Sequence, residues 1–154
     1  MTEAGFIGAD WDVPSFVHAG YTLRSGGVSA GCYESLNLAL HVGDDRERVI
    51  ENRAIAVRRL ALPADPVYVT QVHGTAVLRG EDAGESAPEG DALVSRKRGL
   101  PLAIMTADCL PVLFFDPVSC TIAAAHAGWR GLAAGVLEKT AVAMETDPGE
   151  IRAW

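Results

Sequence analysis

Two histidines, a cysteine and an arginine carry the chemistry this chain offers. His73 closes the run Thr70-Gln71-Val72-His73-Gly74, and Cys109 closes Thr106-Ala107-Asp108-Cys109. His126 precedes Ala127-Gly128-Trp129-Arg130-Gly131. Two imidazoles and a thiolate make a three-ligand zinc set with a fourth position left for water or substrate. The same donors hold copper, and a thiol beside a histidine base is also a nucleophile. Spacing does not choose among these, because the three residues are far apart in sequence and no short-range metal signature joins them. Each also has an ordinary reading: a polar histidine at a strand end, and a cysteine packed in the core. Asp108 and Cys109 would face opposite sides of a regular strand. That predicts a hydrogen-bonding role for Asp108, to backbone or an adjacent histidine, rather than direct ligation.

The elements that must position these groups are short. Apolar runs at 67–72, 90–95, 102–105, 112–115 and 121–125 predict strands, with a turn at Asp116-Pro117. Looser alternation at 14–23 and 35–40 predicts two more. Asp44, three residues ahead of Glu47, reads as a capping box. The helix after it carries Val49, Ile50, Ala54, Val57, Leu60 and Ala61 at helical spacing and ends by Pro63. Arg53 falls near its apolar face. A second helix is predicted over 131–144 from Leu132, Val136, Leu137, Thr140 and Met144. Arg130 then stands just before a helix N-terminus, a corner suited to an anion, with a guanidinium fork that fits phosphate. Pairing with an acid or capping a loop is its structural alternative. Trp129 either stacks on a base or packs. The alternation of strands and helices lacks a βαβ rhythm, so the predicted class is α+β.

The remaining candidates read as structural. Gly26-Gly27 marks a loop, whose glycines either form a plain turn or admit a ligand to the backbone. Cys120 reads as core, Cys32 as a loop residue, and the acidic stretch 80–90 and basic turn 96–99 as solvated. His18 and His41 lie outside the ligand runs; His41 stands near the 35–45 segment with its role open.

Composition bounds the partners. The chain has 154 residues, 49% hydrophobic and 21% charged, with a formal net charge of -7. That is globular, and the acidity argues against nucleic acid or an anionic membrane surface as partner. Three cysteines without a close-spaced pair are not a disulfide framework. No basic-then-apolar leader and no run long enough to span a bilayer appear, so a cytoplasmic location is expected.

Read in order, GGVS, SLNLALHVGDD, ENR, TQVHG, DALVS, TADCLPVLFFD and AAAHAGWRG resemble the YfiH family of laccase-domain proteins, also described as purine nucleoside phosphorylases and peptidoglycan editing factors. The resemblance runs from about Arg24 to the C-terminus. It implies layered mixed β-sheets with outer helices, and a single domain shortened at its C-terminus. It implies His73, Cys109 and His126 as metal ligands and catalytic residues, with zinc as the metal and copper as the alternative. Arg130, Asn37 and Arg53 are then substrate residues, the last two from the SLNL and ENR matches. The implied partners are a purine nucleoside and phosphate. The implied reactions are phosphorolysis of adenosine, inosine and methylthioadenosine, and deamination of adenosine. Zinc lowers the pKa of its bound water toward ~7, which suits the deamination. Three other readings stand beside this one: a copper-dependent phenol oxidase, a hydrolase of a cell-wall precursor amide using Cys109, and a zinc-binding remnant without activity. Four histidines are few for a multicopper oxidase. Residues 151–154 are expected to have strand character without room to pair, leaving an open edge or apolar patch prone to self-association.

Overall fold

The computed structural model describes residues 5–84 and 87–154. The chain forms two compact units, one of residues up to Asp10 with His18–Pro63, the other of Trp11–Val17 with Ala64–Trp154.

In the first unit, β1 (Phe6–Gly8) pairs antiparallel with β2 (Gly20–Thr22), and one long helix follows, α1 (Arg46–Arg59). Only the end of the strand predicted over 14–23 forms. The helix cap is Asp45, one residue later than the sequence predicts. Asp45 Oδ1 accepts from the N–H of Glu47 at 2.8 Å and of Arg48 at 3.4 Å, while Asp44 Oδ1 takes the Asp45 N–H at 2.8 Å. Two successive acids thus replace the capping box, an arrangement worth about 1 kcal/mol. Val49 and Ala56 are buried, but Ile50 is exposed. The helix stops before Pro63, with Ala61 in the left-handed region at φ 47°.

The strand predicted over 35–40 does not form, because polar side chains take its backbone partners. Asn52, fully buried, accepts from the Val28 N–H at 2.8 Å and donates to the Asn37 carbonyl at 2.9 Å and to Ser29 Oγ at 2.8 Å. Asn37 Oδ1 accepts from the Ala39 N–H at 3.0 Å, a local turn that competes with a strand ladder. The Gly26-Gly27 loop packs on this network. A Cβ on Gly27 would lie 2.3 Å from Asn52 Oδ1, so the close backbone approach serves the fold.

The second unit holds β3 (Val77–Arg79), β4 (Ala92–Ser95), β5 (Leu110–Asp116), β6 (Thr121–Ala127), α2 (Trp129–Ala133), α3 (Val136–Ala143) and β7 (Arg152–Ala153). Its five-stranded sheet runs β3-β4-β6-β5-β7, with β3 and β4 parallel and every other pair antiparallel. Period-2 alternation puts Ala92, Val94, Phe114, Ala123, Ala125 and Ala127 into one apolar cluster with Val136 and Met144. Alanine along β6 leaves room for α3 to lie close on the sheet. The class is α+β.

Four further expectations are corrected here. The segments 67–72 and 102–105 contribute isolated bridges, Val67 to Leu102 and Thr70 to Glu89, in place of strands. The helix predicted over 131–144 is two helices, broken at Gly135, whose φ of 88° an L-residue resists. Cys120 is exposed at φ 55°, in the β5–β6 turn. Glu81 is not merely solvated: its carboxylate accepts from the Ser95 hydroxyl at 2.6 Å and from the Arg96 and Lys97 N–H groups at 3.0 and 3.1 Å. Glu85 and Ser86 of the same loop lie outside the described residues.

The C-terminal segment also differs from expectation. β7 pairs Phe114 with Ala153 and Phe115 with Arg152, and Trp154 exchanges both backbone bonds with Leu113 at 2.9 and 3.0 Å. A strand of two residues pairs because β5 offers a free ladder edge, and Ile151 packs against the apolar cluster. Among the described residues no helix is long and apolar enough to cross a membrane.

Candidate metal centre

His73, Cys109 and His126 all belong to the second unit and converge. One donor atom from each lies within 4.8 Å of the other two. Tetrahedral ligation with bonds of about 2.0–2.3 Å separates such donors by roughly 3.3–3.6 Å, so sharing one ion would require the donors to draw in. Cys109 Sγ and His73 Nε2 are already 3.8 Å apart. The imidazole rings meet edge to face with centroids 4.7 Å apart. Burial is graded, from exposed His73 through half-buried Cys109 to buried His126.

Each of the three donors has a distinct local origin. His126 lies on β6, opposite Pro111 of β5, and its backbone N–H bonds to the Asp91 carbonyl at 2.7 Å. Cys109 immediately precedes β5. His73 sits in an irregular turn at φ 60°, left-handed and unfavourable for a residue with a Cβ. Gly128, the residue before α2, faces all three. A Cβ there would lie 2.8 Å from His73 Cδ2, 3.1 Å from Cys109 Sγ and 3.6 Å from His126 Cε1. The space a methyl would fill is bounded by these three side chains.

The residue that sequence reasoning missed is Asp91. It is fully buried immediately before β4, and its Oδ1 is 2.9 Å from His126 Nδ1. Its carboxylate also accepts from the N–H groups of Val72, His73 and Gly74 at 3.2, 2.9 and 2.7 Å. Burial pushes this carboxyl up, but the bonds from His126 and the three backbone groups outweigh it and hold the group below its usual range. The available signal was an acid ahead of the apolar run Ala92-Leu93-Val94. Asp108, which the sequence offered for the supporting role, has no hydrogen bond to either histidine among the described residues. Its Oδ1 lies 3.8 Å from Cys109 Sγ. Desolvation first, and then the Asp108 charge, raise the Cys109 thiol above its ordinary value. The thiolate is both the nucleophile and the metal-binding form, so this shift favours neither role.

Arg130 and Trp129 are exposed in the first turn of α2, with the guanidinium carbon 5.1 Å from the indole centroid. Trp129 therefore does not pack into the core. The helix spans only five residues, so anion attraction at this corner comes from the guanidinium more than from a macrodipole. Asn37 and Arg53 belong to the first unit. There Asn37 Nδ2 donates to Asp44 Oδ2 at 3.0 Å and Arg53 Nε to the Leu38 carbonyl at 2.9 Å. His18 and His41 are exposed in the same unit.

Residues 18–154 match the family described as multi-copper polyphenol oxidoreductase laccase. The chain belongs to this laccase-domain family. Its relatives include the purine nucleoside phosphorylase YfiH of Escherichia coli, 46% identical over 94% of this chain and 59% of the relative. A purine nucleoside phosphorylase of Haemophilus influenzae is 43% identical over 96% of this chain and 60% of its own length. Among solved structures, a Neisseria meningitidis protein of family DUF152 superposes with a TM-score of 0.91 at 48% identity, covering 97% of this chain and 61% of that one. YlmD of Geobacillus stearothermophilus gives 0.85 at 34% identity, covering 99% and 62%. The chain thus spans about three fifths of the length of the laccase-domain relatives it matches.

Proposed function

We propose that this chain carries the metal-holding part of a zinc-dependent purine nucleoside phosphorylase that also deaminates adenosine and accepts methylthioadenosine, working in the cytoplasm. The observation that carries the reading is the convergence of His73, Cys109 and His126 within 4.8 Å. The names of the laccase-domain relatives supply the purine nucleoside.

The donor set fits zinc: one soft thiolate, two imidazoles and an approach left for a fourth ligand. Bound there, zinc supplies a Lewis acid able to polarise an oxygen or activate water. Neither phosphorolysis nor deamination transfers electrons to an oxidant, so a redox-inert ion suffices. In phosphorolysis a phosphate oxygen forms a bond to ribose C1′ as the bond from C1′ to the purine nitrogen breaks. The electron pair leaves with the purine, which takes up a proton. In deamination, water oxygen adds at C6 of adenine and ammonia departs.

The chain's own groups take the following roles in this proposal. Arg130, two residues beyond Gly128, grips phosphate through its planar fork. His126 and His73, both hydrogen-bonded to Asp91, bring a donor nitrogen each within 4.8 Å of the other and of Cys109 Sγ. Asn37 and Arg53 are proposed as substrate contacts on their motif matches alone. Copper is the alternative metal for the same donors.

The test incubates the purified chain with adenosine, with and without phosphate, and with a phenol in a parallel reaction. Adenine plus ribose 1-phosphate, dependent on phosphate, supports phosphorolysis, and inosine supports deamination. Oxidation of the phenol with adenosine untouched would overturn the reading in favour of the copper one.

A further inference from the structure

We infer that Asp91 is the positioning residue of the metal centre, a single carboxylate that sets the tautomer of one histidine ligand and the backbone of the other. The inference rests on the metal reading of the His73, Cys109 and His126 cluster.

The geometry divides the carboxylate between two tasks. Oδ1 lies 2.9 Å from His126 Nδ1 and also 2.9 Å from the His73 backbone nitrogen. Oδ2 accepts from the Gly74 and Val72 nitrogens at 2.7 and 3.2 Å. An ionised carboxylate only accepts, so the proton of neutral His126 resides on Nδ1 and its lone pair on Nε2. Three successive N–H groups converging on the same carboxylate hold the turn that keeps His73 at φ 60°, a left-handed conformation unfavourable for a residue with a Cβ. Because Oδ1 serves both tasks, loss of the charge disturbs both nitrogen donors together.

The carboxamide of asparagine cannot replace this group. With its oxygen toward His126, its NH2 faces the Val72 and Gly74 N–H groups, donor against donor. Flipped, it offers N–H to His126 Nδ1 and selects the opposite tautomer. Gly74 adds a steric limit, since a Cβ there would lie 3.3 Å from Asp91 Oδ2.

The experiment compares wild type with Asp91→Asn by three measurements: zinc affinity in competition with a chromogenic chelator, long-range 15N–1H NMR of the His126 ring in metal-free protein, and thermal unfolding. We expect the proton on His126 Nδ1 in wild type. In the variant we expect a ten- to hundredfold loss of zinc affinity together with a changed His126 tautomer pattern. Zinc affinity within twofold of wild type in a folded variant overturns the inference. So does a wild-type His126 with its proton on Nε2, which decides the matter even if the variant fails to fold. Failure of wild type to bind zinc strikes instead at the metal reading, and leaves the tautomer result to judge Asp91.

Discussion

A methyl group on Gly128 would come within 3.1 Å of Cys109 Sγ, and closer still to His73. Gly128→Ala should therefore push the ligands apart. Zinc affinity is expected to fall at least tenfold, while the fold survives because Gly128 has φ -62°, a value alanine adopts freely. Chelator competition and circular dichroism on the same sample check both halves.

Arg130 is exposed and stacked on Trp129. Arg130→Lys keeps the charge but loses the planar fork. The expected outcome is a several-fold rise in KM for phosphate with zinc content unchanged. Phosphate-dependence curves with parallel metal analysis measure it, and an unaltered KM would remove Arg130 from phosphate binding.

The β5–β6 turn should be acid-sensitive. Asp116 accepts from the Val118 and Ser119 N–H groups at 2.9 and 3.0 Å, from the Thr146 hydroxyl at 2.6 Å, and from the Ser119 hydroxyl. Burial opposes ionisation, but these bonds prevail and lower its pKa from 3.8 to about 2. A depressed carboxylate stabilises the fold above its unfolded pKa, and that contribution is lost as pH falls through the folded one. Roughly 2 kcal/mol should therefore disappear between about pH 4 and pH 2. Asp116→Asn should lose about that much at neutral pH and flatten the curve below pH 4, as denaturant titrations across this range would record.

Gly135 separates α2 from α3 at φ 88°. Gly135→Ala should cost about 1 kcal/mol, seen as a lower denaturation midpoint with zinc affinity unchanged. No loss of stability would show that the break between the helices tolerates a side chain.

The convergence of His73, Cys109 and His126 was anticipated from their motif matches, because residue type and spacing alone left a strand-end histidine and a packed cysteine open. Asp91 was not anticipated, since a buried acid and a solvated one look alike until four donors are seen around the carboxylate. The hairpin at Asp116 and the paired strands β5 and β6 followed from apolar runs and a turn. The strand predicted over 35–40 failed because Asn37 and Asn52 satisfy backbone groups through side chains, a competition that periodicity does not register. The single helix over 131–144 failed at Gly135, where local backbone geometry overrode a continuous apolar spacing. At the C-terminus, pairing of Arg152 and Ala153 depended on a free edge of β5, a long-range condition that four residues of sequence cannot express.

Metal analysis tests most directly whether His73, Cys109 and His126 together hold one metal. Wild type, purified without added metal and then titrated with zinc, should bind one equivalent, and Cys109→Ala should lose that site while remaining folded. Undiminished zinc binding in Cys109→Ala would contradict the assignment.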